Sequence, residues 1–315
     1  VKVSIVIPTR DRLPWLRESL QSARSQAHPD LEILVSDDGS SDGTRDYLQT
    51  VTEEDDRVRV STSNPAPGAF PNIRHLINEA TGEAIAILGD DDILERDYIP
   101  KLAAGLVDPT VTTAYCRHDV IDAAGHLQPG RSSRVTRTYR YLETAPGRIE
   151  NPLQAALLGQ MWLGSCLFRA SFLRAAPFDP ACGSAADWDL AIRIASSGRV
   201  YYVPEVLWHY RDHARTITRA GEIGRRRDAV TVLEKHAFED QGAERLRLKI
   251  LRRRLLGLAL ALAEGDPTAM RGALSRYRQL GGSRLSPGYI GALAIQRLPR
   301  IGMAVRRRIN EFRGV

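Results

Sequence analysis

The chain has 315 residues, 43% hydrophobic and 26% charged, with 44 Lys+Arg against 38 Asp+Glu. That length allows two domains, or one large α/β domain with an appendage, and the apolar share excludes wholesale disorder. Cys116, Cys166 and Cys182 lack CxxC or Cys/His spacing, which excludes a disulfide framework or cysteine-ligated zinc and fits a reducing compartment.

Val3-Ser4-Ile5-Val6-Ile7 is a β-branched run stopped by Pro8, which predicts a buried strand. Leu13, Leu16, Leu20 and Ala23 then recur at helical spacing. Leu31–Ser36 reads as a second strand ended by Asp37-Asp38-Gly39-Ser40, with Asp42 placed to cap the helix that carries Tyr47 and Leu48. Val58–Val60 is a short third strand. A helix around Ile73–Ala80 leads through Gly82 into Ala84–Leu88, a fourth strand that stops at Gly89-Asp90-Asp91-Asp92. Strands alternating with helices predict an α/β fold with a mostly parallel sheet flanked by helices.

Beyond residue 100 the pattern is mixed. Val111–Cys116, Val120–Asp122, Cys166–Phe168 and Val200–Val203 read as strands, and Leu153–Leu158 and Trp188–Ser196 as helices. Arg131–Arg148 reads as an irregular stretch rich in Arg, Ser and Thr. After Arg219 come helices with basic faces at 222–238, 243–264, 267–280 and 288–310. The charge divides at the same place. Residues 1–218 carry 23 basic and 29 acidic side chains, net −6, while residues 219–315 carry 21 and 9, net +12. We therefore expect a catalytic domain over 1–218 and a basic helical region over 219–315.

The longest apolar run, Leu255–Ala263, is far shorter than the about 20 residues a bilayer crossing needs. The first residues run directly into a strand pattern, with no charged segment followed by an apolar one, so no signal peptide is expected. A cytoplasmic location is the expectation, with peripheral contact at the inner face of a membrane as a further option for the basic helices.

In parallel sheets ligands bind beyond the carboxyl ends of the strands. Thr9-Arg10-Asp11, Asp37-Asp38 and Asp90-Asp91-Asp92 each follow a strand, so three polar loops are expected at one crevice. Adjacent carboxylates repel, and a divalent cation relieves them: Mg²⁺ or Mn²⁺ takes one or two carboxylates while substrate phosphates complete its shell. A solvated acidic turn is the competing reading, and the position after an apolar strand favours the metal. Asp37-Asp38-Gly39-Ser40 fits a turn as well as a carboxylate acceptor for the N–H edge of a base. Asp187-Trp188-Asp189 opens a helix, where a carboxylate can accept a proton; Ser184-x-x-Asp187 also matches a capping box, and the helix dipole would keep Asp187 ionised. His209 and His213 are four apart without HExxH, which disfavours a zinc pair.

Together these segments resemble family-2 glycosyltransferases of the GT-A fold. The resemblance rests on Ile5-Val6-Ile7-Pro8-Thr9-Arg10-Asp11-Arg12, Val35-Ser36-Asp37-Asp38-Gly39-Ser40-Ser41-Asp42, Ala80-x-Gly82-Glu83 and Leu88-Gly89-Asp90-Asp91-Asp92. It continues through Leu167-Phe168-Arg169, Phe178-Asp179, Asp187-Trp188-Asp189-Leu190-x-x-Arg193 and Val203-Pro204-Glu205-Val206-Leu207-x-x-Tyr210-Arg211-x-His213, and covers about residues 3–215. It implies inverting transfer of a sugar from a nucleotide diphosphate sugar to an acceptor hydroxyl, assisted by Mn²⁺ or Mg²⁺. UDP is the family's commonest nucleotide, and GDP and dTDP also occur.

By the same resemblance Pro8, Thr9 and Asp38 hold the base, with Arg10 and Asp11 beside them. Asn72 and Arg74 match a loop that approaches the nucleotide. Asp90 and Asp91 match the acidic motif, Asp91 and Asp92 with His213 being the candidate metal ligands, and Asp187 matches the general base. Gly89 stands where the usual Asp-x-Asp begins, so the metal grip falls to the residues after it. Ala186 stands where many members carry Glu.

Two other classes compete: a nucleotidyl- or phosphoryl-transfer enzyme, and a non-catalytic nucleotide-sugar-binding protein. The first lacks GxxxxGK[ST], and Asp91 and Asp187 together argue against the second. The basic helices lie outside the resemblance. Packing of their apolar stripe is the first reading, docking on an anionic membrane the second, and nucleic-acid binding the last, since no recognition motif accompanies the charge. A homo-oligomer is compatible with all of these.

Overall fold

The computed structural model describes residues 1–61, 68–213 and 221–297. The chain divides into two compact units, Val1–Phe178 with Asp187–Ala214, and Asp179–Ala186 with Arg215–Val315.

In the first unit β1 (Val3–Thr9), α1 (Leu13–Arg24), β2 (Leu31–Asp37), α2 (Thr44–Glu54), β3 (Val58–Ser61), α3 (Ala69–Glu79) and β4 (Ala84–Ile87) alternate. Then come β5 (Ile93–Leu94), α4 (Tyr98–Gly105), β6 (Val111–Ile121), α5 (Pro129–Thr138), β7 (Gly147–Arg148) and α6 (Pro152–Leu157). β8 (Cys166–Arg169), α7 (Ala170–Ala175), α8 (Ala186–Ser197) and β9 (Arg199–Arg211) complete it. One mixed sheet runs β3-β2-β1-β4-β8-β6-β9-β5, with β7 added on β9. Its first four strands are parallel, and the β-branched and leucine side chains of β1, β2 and β4 are almost fully buried. On α1, Leu16, Leu20 and Ala23 share the face that closes this core. Each fully buried leucine contributes roughly 1.5–3 kcal/mol.

Register fixes the site. Thr9 lies opposite Asp37, and Val6 opposite Ile87, so the loops after β1, β2 and β4 leave the same edge of the sheet. At the other edge the buried Glu32 carboxylate receives Ser4 Oγ, the Thr81 and Gly82 N–H groups and Thr81 Oγ1.

The structure corrects several expectations. The stretch Arg131–Arg148 is not irregular: α5 occupies much of it, starting at Pro129. Its buried face carries Ser132 and Thr136 rather than apolar residues, so it has no apolar stripe to read. The segments 111–116 and 120–122 join as one strand, β6, and the expected strand 200–203 extends through 211 in β9. β6 and β9 pair with register shifts around Cys116, Arg117 and His118, where polar residues interrupt the apolar pattern. The two-residue β5 is too short to leave a periodic signal. The N-cap of α2 is Gly43, while the Asp42 carboxylate accepts the N–H groups of both Thr44 and Leu13, at 3.2 and 2.9 Å.

The second unit contains α9 (Glu222–Lys235), α10 (Gln241–Leu262), α11 (Pro267–Gln279) and α12 (Pro287–Arg297). Asp240 and Asp266 cap α10 and α11 by accepting the N–H groups of Ala243 and Ala269. Leu251, Leu255, Leu258 and Leu262 of α10 are buried, α10 packs on α9, α11 and α12, and Arg253 and Arg254 are exposed. Residues 298–310 of the expected last helix lie outside the described residues. No helix among the described residues is long and apolar enough to cross a membrane.

Candidate active site

The loops after β1 and β2 are tied together. The Asp38 N–H donates to the Thr9 carbonyl at 2.9 Å, and Ser40 Oγ accepts the Asp11 N–H at 2.8 Å. In return the Asp11 carboxylate accepts the Ser41 N–H at 2.7 Å. Asp11 makes this exchange with a left-handed backbone, φ 50°, a conformation that Asp tolerates better than most residues. Gly39 supplies the other positive φ, 82°, in the turn after Asp38. Arg10 reaches both Asp11 and Asp38 at 3.9 Å. Asp38 is buried, yet its Oδ1 has no hydrogen-bond partner. A buried acceptor without a donor is costly, and an incoming N–H group would satisfy it.

Asn72 is buried in α3 and donates to the Ser36 carbonyl at 3.1 Å, next to this edge. Arg74 donates to the Arg174 carbonyl at 3.0 Å and so joins α3 to α7. Pro8 sits in β1 opposite Ser36.

The loop after β4 brings the acidic triplet to the same edge. Asp90 Oδ1 and Asp91 Oδ2 share the Arg12 guanidinium, with Nη1 at 3.0 and 2.8 Å. His213 Nε2 lies 2.9 Å from the same Asp91 Oδ2, and Trp15 packs on the His213 ring at a tilt of 32° with centroids 3.9 Å apart. Asp92 Oδ1 accepts the Arg211 N–H at 2.9 Å. Burial, then the charge of Asp91, push the Asp90 carboxyl up to about 6 despite Arg12. The same two causes hold Asp92 well above the carboxylate range. Burial alone would lower the Arg12 guanidinium, but Asp90 and Asp91 keep it above its ordinary value.

Asp91, Asp92 and His213 offer donor types that suit a divalent cation, although their three ligand atoms do not all lie within 4.8 Å of one another. A Cβ on Gly89 would come within 2.8 Å of Asp91 Oδ1 and 3.0 Å of Asp92 Oδ2, so both oxygens face the bare side of that glycine. Two carboxylates and an imidazole suit Mn²⁺, and carboxylates suit Mg²⁺. His209, by contrast, turns to Glu95 at 2.7 Å, so the two histidines have separate acidic partners and form no zinc pair.

Asp187 stands at the start of α8, half-buried, with its Oδ1 accepting the Trp188 N–H at 2.7 Å. Trp188 Nε1 in turn donates to the Ala156 carbonyl of α6 at 2.7 Å. The capping box does not form: Ser184 donates both its N–H and its hydroxyl to Asp228. Nor does the helix dipole dominate, since burial raises the Asp187 carboxyl to about 6. Neighbouring Asp189 is fully buried and holds Arg193 Nε at 2.8 Å.

Sequence reasoning assigned no role to Arg12, Trp15 or Arg211. Arg211 is fully buried; its Nε donates to the Asp91 carbonyl at 2.6 Å and its Nη2 to Glu18 at 2.6 Å. It anchors the acidic loop to β9 and α1. An arginine two positions before the candidate ligand His213 was the available signal.

The sheet order and the acidic loop beside its parallel edge define a GT-A fold, the architecture of nucleotide-sugar transferases. Residues 4–172, more than half of the chain, match the model of glycosyl transferase family 2, and the chain belongs to that family. Residues 1–349 of S. aureus TarS in complex with UDP-GlcNAc superpose with a TM-score of 0.67 at 14% identity, covering 97% of this chain and 88% of that one. The mannosyltransferase PcManGT from Pyrobaculum calidifontis, in complex with GDP-Man and Mn²⁺, gives 0.62 at 19% identity, covering 95% and 87%.

Among curated proteins, the GalNAc(5)-diNAcBac-PP-undecaprenol beta-1,3-glucosyltransferase of Campylobacter jejuni is 37% identical over 94 residues, 30% of each chain. The putative glycosyltransferase EpsH of Bacillus subtilis is 27% identical over 223 residues, 68% of this chain and 62% of that one. The match thus spans under two thirds of either relative.

Proposed function

We propose that the chain is an inverting glycosyltransferase that moves a sugar from a nucleotide diphosphate sugar to an acceptor hydroxyl. Residues 1–218 form its catalytic domain and residues 219–315 a basic helical region. The observation that carries this reading is the convergence, at one sheet edge, of an unsatisfied buried Asp38 acceptor with an acidic cluster whose charges are only partly compensated.

In this reading Asp38 accepts from the N–H edge of the base, with Pro8, Thr9, Arg10, Asp11 and Asn72 shaping that end, Arg74 bordering it from α3 and Asp90 lining the diphosphate side. Asp91, Asp92 and His213 would hold Mn²⁺ or Mg²⁺. When bound, such an ion neutralises charge on the leaving diphosphate. Asp187 takes the proton of the acceptor hydroxyl as its oxygen forms the new bond to the anomeric carbon and the bond to the diphosphate breaks. A carboxyl near 6 is still mostly ionised at pH 7 and is a stronger base than an ordinary aspartate. No covalent enzyme intermediate is formed.

UDP is the first donor nucleotide to test, with GDP and dTDP next; the structural neighbours hold UDP-GlcNAc and GDP-Man. The exposed Arg253 and Arg254 support peripheral docking on the inner face of an anionic membrane, where an acceptor like the lipid-linked glycan in the C. jejuni relative's name would be met. The test is release of nucleoside diphosphate from a panel of UDP-, GDP- and dTDP-sugars with Mn²⁺. We expect release from members of one nucleotide class, stopped by EDTA. No release from any donor would remove the reading.

A further inference from the structure

Asp91 Oδ2 receives two partners, Arg12 Nη1 at 2.8 Å and His213 Nε2 at 2.9 Å. They differ in how firmly they are held. The His213 side chain is 3% exposed and lies under the Trp15 ring, itself fixed by donation from its Nε1 to the Ala123 carbonyl at 3.0 Å. The Arg12 side chain is 17% exposed and extends from the residue just before α1. Its charge sits between Asp90 and Asp91, on the carboxylate that is also the leading candidate for a metal ligand.

We infer that Arg12 is a resident counter-ion, which a divalent cation displaces from Asp91 and which then pairs with the donor's diphosphate. This rests on the metal and nucleotide-sugar reading of the site. A guanidinium and a divalent cation on one partly buried carboxylate repel strongly, because such a pair is little screened. Cation binding without nucleotide must therefore break the Arg12 contact to Asp91. A diphosphate offers the freed, planar guanidinium a bidentate partner. Arg12 thus couples the two ligands: each strengthens the other, and by linkage the coupling is reciprocal. The acidic cluster is kept closed by an internal cation until the donor arrives.

The experiment is titration of the full chain with Mn²⁺, followed by the electron paramagnetic resonance signal of the free ion, with and without UDP or GDP. For the wild type, nucleotide should tighten Mn²⁺ binding at least tenfold. Arg12→Gln should bind Mn²⁺ alone at least tenfold more tightly than the wild type, and the nucleotide effect should shrink below threefold. Arg12→Lys, which keeps the charge, should stay within threefold of the wild type in Mn²⁺ alone. If circular dichroism shows Arg12→Gln unfolded, Arg12→Met is judged by the same criteria. An Arg12→Gln protein that binds Mn²⁺ no more tightly than the wild type, with the nucleotide effect intact, overturns the proposal and leaves the metal site standing. If no form of the chain takes up Mn²⁺ even with nucleotide, the metal reading fails and the proposal with it.

Discussion

The two ends of the same parallel strands treat carboxylates in opposite ways. At the amino end, burial alone would raise Glu32, but donations from Ser4 and Thr81 outweigh it and hold the carboxyl below its ordinary value. Lys2 and Arg59 lie nearby, at 4.0 and 3.4 Å. At the carboxyl end, burial and mutual repulsion win: Asp90 rises to about 6, Asp92 is held well above the carboxylate range, and Asp38 Oδ1 has no partner. Backbone N–H groups and hydroxyls complete one end as structure. The other is left short of positive charge and of donors, which a cation and a nucleotide would supply. A buried acid is informative when its partners are missing, not because it is buried.

Substitutions should separate the ends. Asp187→Asn should lower turnover about 10²–10⁴-fold, the range of a general base, while nucleotide affinity by calorimetry stays within a few-fold. Asp91→Asn should abolish Mn²⁺ uptake and the Mn²⁺-dependent rise in melting temperature. Glu32→Gln should act on the fold instead. It costs about 1–3 kcal/mol of stability by denaturant titration, because it loosens a satisfied buried network, and leaves turnover per folded molecule unchanged.

Acidification sharpens the contrast. Asp187 must be ionised to accept a proton, so kcat/KM should fall about tenfold per pH unit below about 6. The depressed Glu32 pKa stabilises the fold above its unfolded value near 4.5 and loses that contribution only as pH falls through the lower folded value. Activity should therefore fall by more than about tenfold between pH 6 and 4.5 while the Glu32 end holds, as a pH-rate profile beside melting curves would show. The smallest effect is at Trp15: Trp15→Ala removes one ring contact of about 0.5–1.5 kcal/mol and should weaken Mn²⁺ binding by about two- to tenfold.

Much of this was legible in the residues. β1, β2 and β4 announce themselves because their buried runs are unbroken, and the loops that follow them stand at the predicted edge. α5 was hidden because its buried face carries Ser132 and Thr136. β6 and β9 read as fragments because Arg117 and the bulges around it interrupt them. In the site, residue types were readable but partners were not. Nothing local pairs Arg12 with Asp90 and Asp91, 78 and 79 positions away, or Arg211 with the carbonyl of Asp91. The capping box and dipole at Asp187 were reasonable local expectations. Asp228 took Ser184, and burial outweighed the dipole.

The most direct test of the contrast between the two ends is a crystal of the wild-type chain grown with Mn²⁺ and UDP and measured at the manganese edge. The account predicts one anomalous peak bound by Asp91, Asp92 and His213, the base against Asp38, and no peak at Glu32. A nucleotide bound elsewhere, with no manganese at the acidic triplet, would contradict it.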